Sequence, residues 1–135
     1  MSAENVELFR RITEVANVPE AESLLEPMLA PEYRIENIVT AVTDKTYYGA
    51  AGCVEWFNDL SDAFAEGARP EVEAIIADGD DFVVGRMAFF GAGARSGAPL
   101  RLRWIAVMWF RDGKAIRSDR YAHRSEALKR LGLED

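Results

Sequence analysis

The sequence predicts an α+β domain: a cone-shaped, curved antiparallel sheet packed by three helices from the N-terminal half, plus a short C-terminal helix. Three observations predict it. Apolar residues recur at spacings of three and four before residue 67, and from Pro70 onward the chain turns to strand texture broken by short turn signals. One strand, LRLRWIAVMWF, is apolar on both faces from Trp104 to Phe110, so each face needs cover.

Each element follows from its residues. Between Ala3 and about Asn17, the residues Val6, Phe9, Ile12, Thr13 and Ala16 form one helical stripe, with Ser2 placed as its N-cap. A second, short helix follows Pro19, runs through Leu24, Leu25 and Met28, and is limited by Pro31. Tyr33, Ile35 and Asn37 then alternate with Arg34, Glu36 and Ile38, the period of a short strand. TDKTYYG reads as a loop, and Gly49 or Gly52 opens a third helix whose Val54, Phe57, Leu60, Ser61 and Phe64 share a stripe that Gly67 ends. VEAIIA, FVVGRMAFFG, LRLRWIAVMWF and KAIRSDRYA are strands of an antiparallel meander, joined at DGDD, AGARSGAP and RDG, where glycine accepts the positive φ of a tight turn. Ser125 to Leu131, stopped by Gly132, is a terminal helix.

The 135 residues, 49% hydrophobic and 29% charged, make a single domain spanning 1–135 with a real core. No apolar run approaches the roughly 18 residues of a membrane span, and MSAENVELFRR has acids where a secretory signal needs a basic stretch. A cytoplasmic location without membrane association is expected. Single Cys53 and single His123 cannot build a structural zinc site, and neither a metal nor another cofactor is expected. Residues 1–67 carry 4 basic and 13 acidic side chains against 12 and 10 in residues 68–135, within a net charge of −7, which disfavours duplex nucleic acid as a partner. Arg101, Arg103, Arg111, Lys114, Arg117 and Arg120, mixed with Asp112 and Asp119, read as a solvated sheet face. The doubly apolar strand is most simply buried on one side by helices and on the other by a second copy, so a homodimer is expected.

YYGAAGCVEWFNDLSDAF, AIIADGDDFVVGRMAFFG and AVMWFRDGKAIRSDRYAHRSEALKRLGL together resemble the SnoaL-like, polyketide cyclase-like branch of the nuclear transport factor 2-like superfamily. The resemblance covers nearly the whole chain and implies an α+β cone, usually dimeric, whose members include polyketide cyclases, ketosteroid isomerases, epoxide hydrolases and pocketed proteins without a known reaction. Fold alone does not choose among them. The isomerase base would fall in Ile35-Glu36-Asn37-Ile38, where Asn37 cannot take a proton, and its protonated aspartate falls at the apolar Ala106 or Val107. The epoxide hydrolase pattern keeps Asn37 and Arg86 but has Ala88 where its relay needs an acid, and His123 where it needs the terminal carboxylate. The cyclase type uses an acid near the end of the last strand, where Asp119 and His123 stand.

His123 is the candidate acid or base, because an imidazole titrating near pH 6.5 can pass protons at neutral pH; the competing role is a cap on the terminal helix. Arg86, within VVGRMAFF, either orients a substrate oxygen or pairs outward with Glu71 or Glu73. Asn37 is the candidate polar floor, and Tyr33, Trp56 and Trp104 are candidate pocket walls drawn from a mostly structural aromatic set. Tyr47 and Tyr48 either cover the cone mouth or meet solvent. The expected function is binding of a small, mainly apolar, oxygenated molecule, with cofactor-free cyclisation, isomerisation or hydration as its possible chemistry. The alternative is a non-catalytic ligand-binding or protein-interaction module. Convergence of Asn37, Arg86 and His123 on one cavity would favour the enzyme.

Overall fold

A computed structural model describes residues 2–37, 46–62, 64 and 67–133, with Asn37 described in its backbone only. Helix α1 (Ser2–Val15) buries Asn5, Phe9, Ile12 and Thr13, residues that recur every three to four positions. Helix α2 (Ala21–Leu25) tightens into a 3₁₀ turn over Glu26–Met28 with Pro27 in its first turn. Strand β1 spans Leu29–Asn37. Pro31 therefore lies inside β1 rather than marking a helix limit, where the ladder with its neighbour is irregular between Leu29 and Arg34 and a missing N–H is tolerated. Tyr47–Tyr48, expected in a loop, forms a short strand β2 on β1. Helix α3 (Gly49–Ser61) follows, burying Gly52, Cys53 and Phe57; it stops well before Gly67. The remaining strands are β3 (Arg69–Asp78), β4 (Phe82–Ala92), β5 (Pro99–Arg111) and β6 (Lys114–Tyr121), and helix α4 spans Arg124–Arg130.

The six strands form one sheet in the order β2-β1-β6-β5-β4-β3. All neighbours are antiparallel except β1 and β6, which run parallel, so the sheet is mixed where the sequence suggested a purely antiparallel one. The reason is long-range: β1 completes the meander from outside it, after the intervening chain has crossed over. Register shifts at Val72/Ala74 and Ile75/Ala77 on β3, and at Trp109/Phe110 on β5, bend the sheet, which stays open at its β2 and β3 edges. Asp112 and Gly113 both have positive φ, 53° and 77°, as the two-residue β5–β6 hairpin requires.

The inner face holds the main core, with Phe9, Leu25, Tyr33, Ile35, Val83, Met87 and Met108 packed between α1, α2, α3 and the sheet. Gly85 permits the closest approach, because a Cβ there would sit 2.6 Å from Phe9 Cζ. On the outer face Val84, Ile105, Val107 and Tyr121 pack under Ala127 of α4, with Ile76, Phe82, Trp109 and Leu131 around them. The doubly apolar strand thus finds part of its second cover in its own chain. None of the described helices is long and apolar enough to cross a membrane.

Candidate functional site

Alternation along β1 and β6 sends Tyr33, Ile35 and Ser118 inward, and the ladder sets Ile35 beside Ser118 and Asn37 beside Arg120. Across the next ladder Arg120 faces Ala106 of β5. Arg120 therefore projects to the inside of the cone, where it is only 9% exposed. A cavity of about 30 Å³ lies there between α1, α3 and the sheet, walled by Phe9, Tyr33, Cys53, Trp56, Trp104 and Arg120 among others.

Among the described residues, the polar groups around this cavity are poorly partnered. Tyr33 Oη, Trp104 Nε1, Ser118 Oγ and Arg120 Nε are all buried without a well-formed hydrogen bond, although the Tyr33 and Ser118 hydroxyls lie close to one another. Among the described residues Arg120 has no ion pair either; its guanidinium carbon lies 4.2 Å from the centre of the Trp56 ring and 5.8 Å from that of Trp104. The two indoles meet edge to face at 5.6 Å. Burial lowers the pKa of Arg120, yet a guanidinium stays charged in a protein. Burial acts the other way on its neighbours, raising Tyr33 well above the ordinary phenol range and pushing the Cys53 thiol up to about 11. Both therefore stay neutral at physiological pH.

Of the residues proposed from sequence, Tyr33, Trp56 and Trp104 are brought together at this cavity. Arg86 is not: it follows Val84 onto the outer face, half-buried, with Ala74 and Ile105 as ladder partners. Nor does it pair with Glu71 or Glu73, which are held by Arg101 and Arg103 at 2.8–3.0 Å. His123 is exposed at the N-cap of α4, where its backbone N–H donates to Glu126 Oε1 at 3.2 Å. The Asn37 side chain lies outside the described residues. Tyr47 is buried, donating to Asp59 Oδ2 at 2.7 Å, while Tyr48 is 67% exposed.

Arg120 and Cys53 are the site residues that sequence reasoning missed. The solvated-face reading holds for the exposed Arg101, Arg103, Arg111, Asp112 and Lys114 but fails for the buried Arg120 and Asp119, and Arg117 is only partly exposed. The available signal was parity: Ser118 and Arg120 alternate with Arg117 and Asp119, and only one of those pairs can face water when the sheet is covered. A wider groove of about 510 Å³, lined by Glu4, Asn5, Arg11, Asp80, Arg111 and Asp112 among others, lies open at the surface with mixed charge. No group of three potential metal ligands occurs among the described residues.

The SnoaL-like domain family matches residues 9–118, and the chain belongs to that family. Solved structures agree on the fold. An NTF2-like protein of unknown function from Mesorhizobium loti is 21% identical over 90% of this chain and 93% of its own, with a TM-score of 0.66. A protein named as a SnoaL-like polyketide cyclase from a Jannaschia species is 17% identical over 89% of this chain and 85% of its own, with a TM-score of 0.70. A Catenulispora acidiphila protein with a ketosteroid isomerase-like fold, in complex with trimethylamine, is 15% identical over 94% and 93% of the two chains, with a TM-score of 0.66. No curated protein is significantly similar to the chain.

Proposed function

We propose that this protein binds a small, mainly apolar, oxygenated molecule inside the cone, with the polar end of the ligand against Arg120, Tyr33 and Trp104. One observation carries the reading: among the described residues, the buried donors Tyr33 Oη, Trp104 Nε1 and Arg120 Nε, none with a well-formed hydrogen bond, line one cavity walled mainly by apolar side chains. Unsatisfied buried polar groups are costly, and a ligand oxygen removes that cost. The fold supports the same reading, since a Catenulispora acidiphila protein of similar fold is in complex with a small molecule, trimethylamine.

Binding is favoured over catalysis by the composition of the cavity. Its described lining has no carboxylate and no imidazole, so it offers donors to an oxygen but no group to take a proton. His123 enters a reaction only if the substrate reaches the exposed start of α4, away from the cavity lining. Homodimerisation remains part of the proposal, with the half-buried Ile76, Phe82 and Trp109 of the outer face as its apolar contribution.

The test is a thermal-shift panel of neutral alcohols, ketones and phenols together with short carboxylic acids, read on the wild type and on Ala16→Phe, which fills the cavity from the turn after α1. Binding in the cone predicts stabilisation of the wild type by at least one class and none for the filled variant, with circular dichroism confirming its fold. A panel without effect on the wild type, or with equal effects on both proteins, overturns the reading. Light scattering at twice the 15.1 kDa chain mass supports the dimer, and a mass near 15.1 kDa removes it.

A further inference from the structure

If the cone binds a ligand as proposed above, the donor set also defines the ligand's chemistry: we infer that it is a short-chain monocarboxylate, its carboxylate held by Arg120 with Tyr33 and Trp104.

The first argument is charge. Arg120 brings a permanent positive charge into the interior, and its chain neighbour Asp119 does not neutralise it. Asp119 lies on the other face of β6, 1% exposed, and accepts from Arg117 Nε at 2.6 Å. Among the described residues, the remaining groups that could carry negative charge beside Arg120 are Tyr33 and Cys53, and burial keeps both protonated. The Trp56 ring attracts the cation but leaves Arg120 Nε without an acceptor. An anion is what this arrangement lacks.

The second argument is hydrogen-bond sign. An indole N–H and a guanidinium only donate, and a protonated phenol beside a cation donates most favourably. A ligand that also donates, such as an amide or an alcohol, leaves some of these groups opposed. An ionised carboxylate accepts at both oxygens and can take two bonds from one guanidinium.

The third argument is volume. About 30 Å³ holds roughly one or two water molecules, so only the shortest carboxylates come near it, the methyl or ethyl tail enters as the flexible Met87 and Met108 side chains give way, and fused rings are excluded. Phe9, Ile12, Met87 and Met108 supply apolar contacts for that tail.

Propionate and its near-isosteric neutral amide, propionamide, separate these requirements. Titrations of the wild-type protein at pH 7, followed by calorimetry and by the emission of Trp56 and Trp104, should show propionate binding at least about 30-fold more tightly than propionamide, as expected for loss of a charge-assisted pair. Arg120→Met should weaken propionate about 10²-fold. In the ligand-free state it should unfold at a temperature no lower than the wild type, because it removes an uncompensated charge. A structural arginine would give the opposite thermal result. Should Arg120→Met not fold, Tyr33→Phe removes one donor and should weaken propionate about five- to tenfold. Equal affinity for propionate and propionamide, or unchanged propionate binding in Arg120→Met, overturns the carboxylate assignment. If neutral members of the earlier panel bind in the cone and propionate does not, the carboxylate assignment falls while cone binding stands; if nothing on that panel binds, both fall.

Discussion

Arg117 and Arg120 stand three residues apart on β6 and face opposite sides of the sheet. On the outer side Arg117 reaches Asp119 at 2.6 Å and Glu36 at 2.8 Å, and Glu36 in turn accepts from Arg34 at 2.9 Å. On the inner side Arg120 meets two indoles and no acid among the described residues. The same residue type is thus a structural tie on one face and an unmet electrostatic demand on the other. Charge on a strand acquires meaning only once the face it points to is known.

The contrast is most exposed to test at its acidic partner. Asp119→Ala should lower stability by about 2–4 kcal/mol, because it leaves a partly buried Arg117 with Glu36 alone, whereas removal of the Arg120 charge should not destabilise the ligand-free protein. Urea unfolding of the two variants measures both. Equal losses would erase the distinction between the faces.

Gly85→Ala probes the inner face by shape. Its Cβ would meet Phe9 Cζ at 2.6 Å and Cε2 at 2.7 Å, so α1 must shift, at about 1–3 kcal/mol in chemical denaturation.

At the β2 edge, Tyr47→Phe removes the donor to Asp59 and should lose about 1 kcal/mol in the same assay. Burial, with the Asp59 contact behind it, pushes the Tyr47 pKa from 10.0 up to about 12. A raised folded pKa means that this contribution is complete below pH 10 and is lost as pH rises towards 12. Tyr47→Phe should therefore lose less stability than the wild type across that interval; identical alkaline profiles would contradict the coupling.

His123→Gln should have the smallest effect, within about 0.5 kcal/mol and without change in propionate affinity, because the imidazole is exposed and the α4 cap is closed by its backbone N–H. A loss of ligand binding there would return His123 to the site.

How much of this was legible in the sequence depends on the range of the interaction. The α1 stripe, the four long strands and the Asp112–Gly113 turn are local patterns, and they were readable as such. The parallel pairing of β1 with β6 and the strand at Tyr47–Tyr48 were not, because both are set by partners distant in sequence or by a two-residue edge too short to show a period. Within the site, Tyr33, Trp56 and Trp104 were legible as bulky groups with polar tips. Arg86 was left open between the pocket and an outward pair because VVGRMAFF is apolar at both parities; the close approach of Phe9 to Gly85 fixes which residues point inward and puts Arg86 on the outer face. Arg120 was obscured by the acids and bases around it.

The parallel seam between β1 and β6 also imposes an order of events. Tyr33 is made long before Arg120, so the cavity's polar wall cannot exist until β6 is available to pair. Helices α1 and α3 and the β3–β4 and β4–β5 hairpins can form from nearby residues, but β1 must wait for β6 with its backbone partners on that side unmet. The ladder that completes the cone is the non-local one, and loop-closure entropy makes its formation slow relative to the hairpins. Until that last pairing, Ile35 and Tyr33 are presented on an unprotected strand edge, making β1 the segment most exposed to association with other chains during folding.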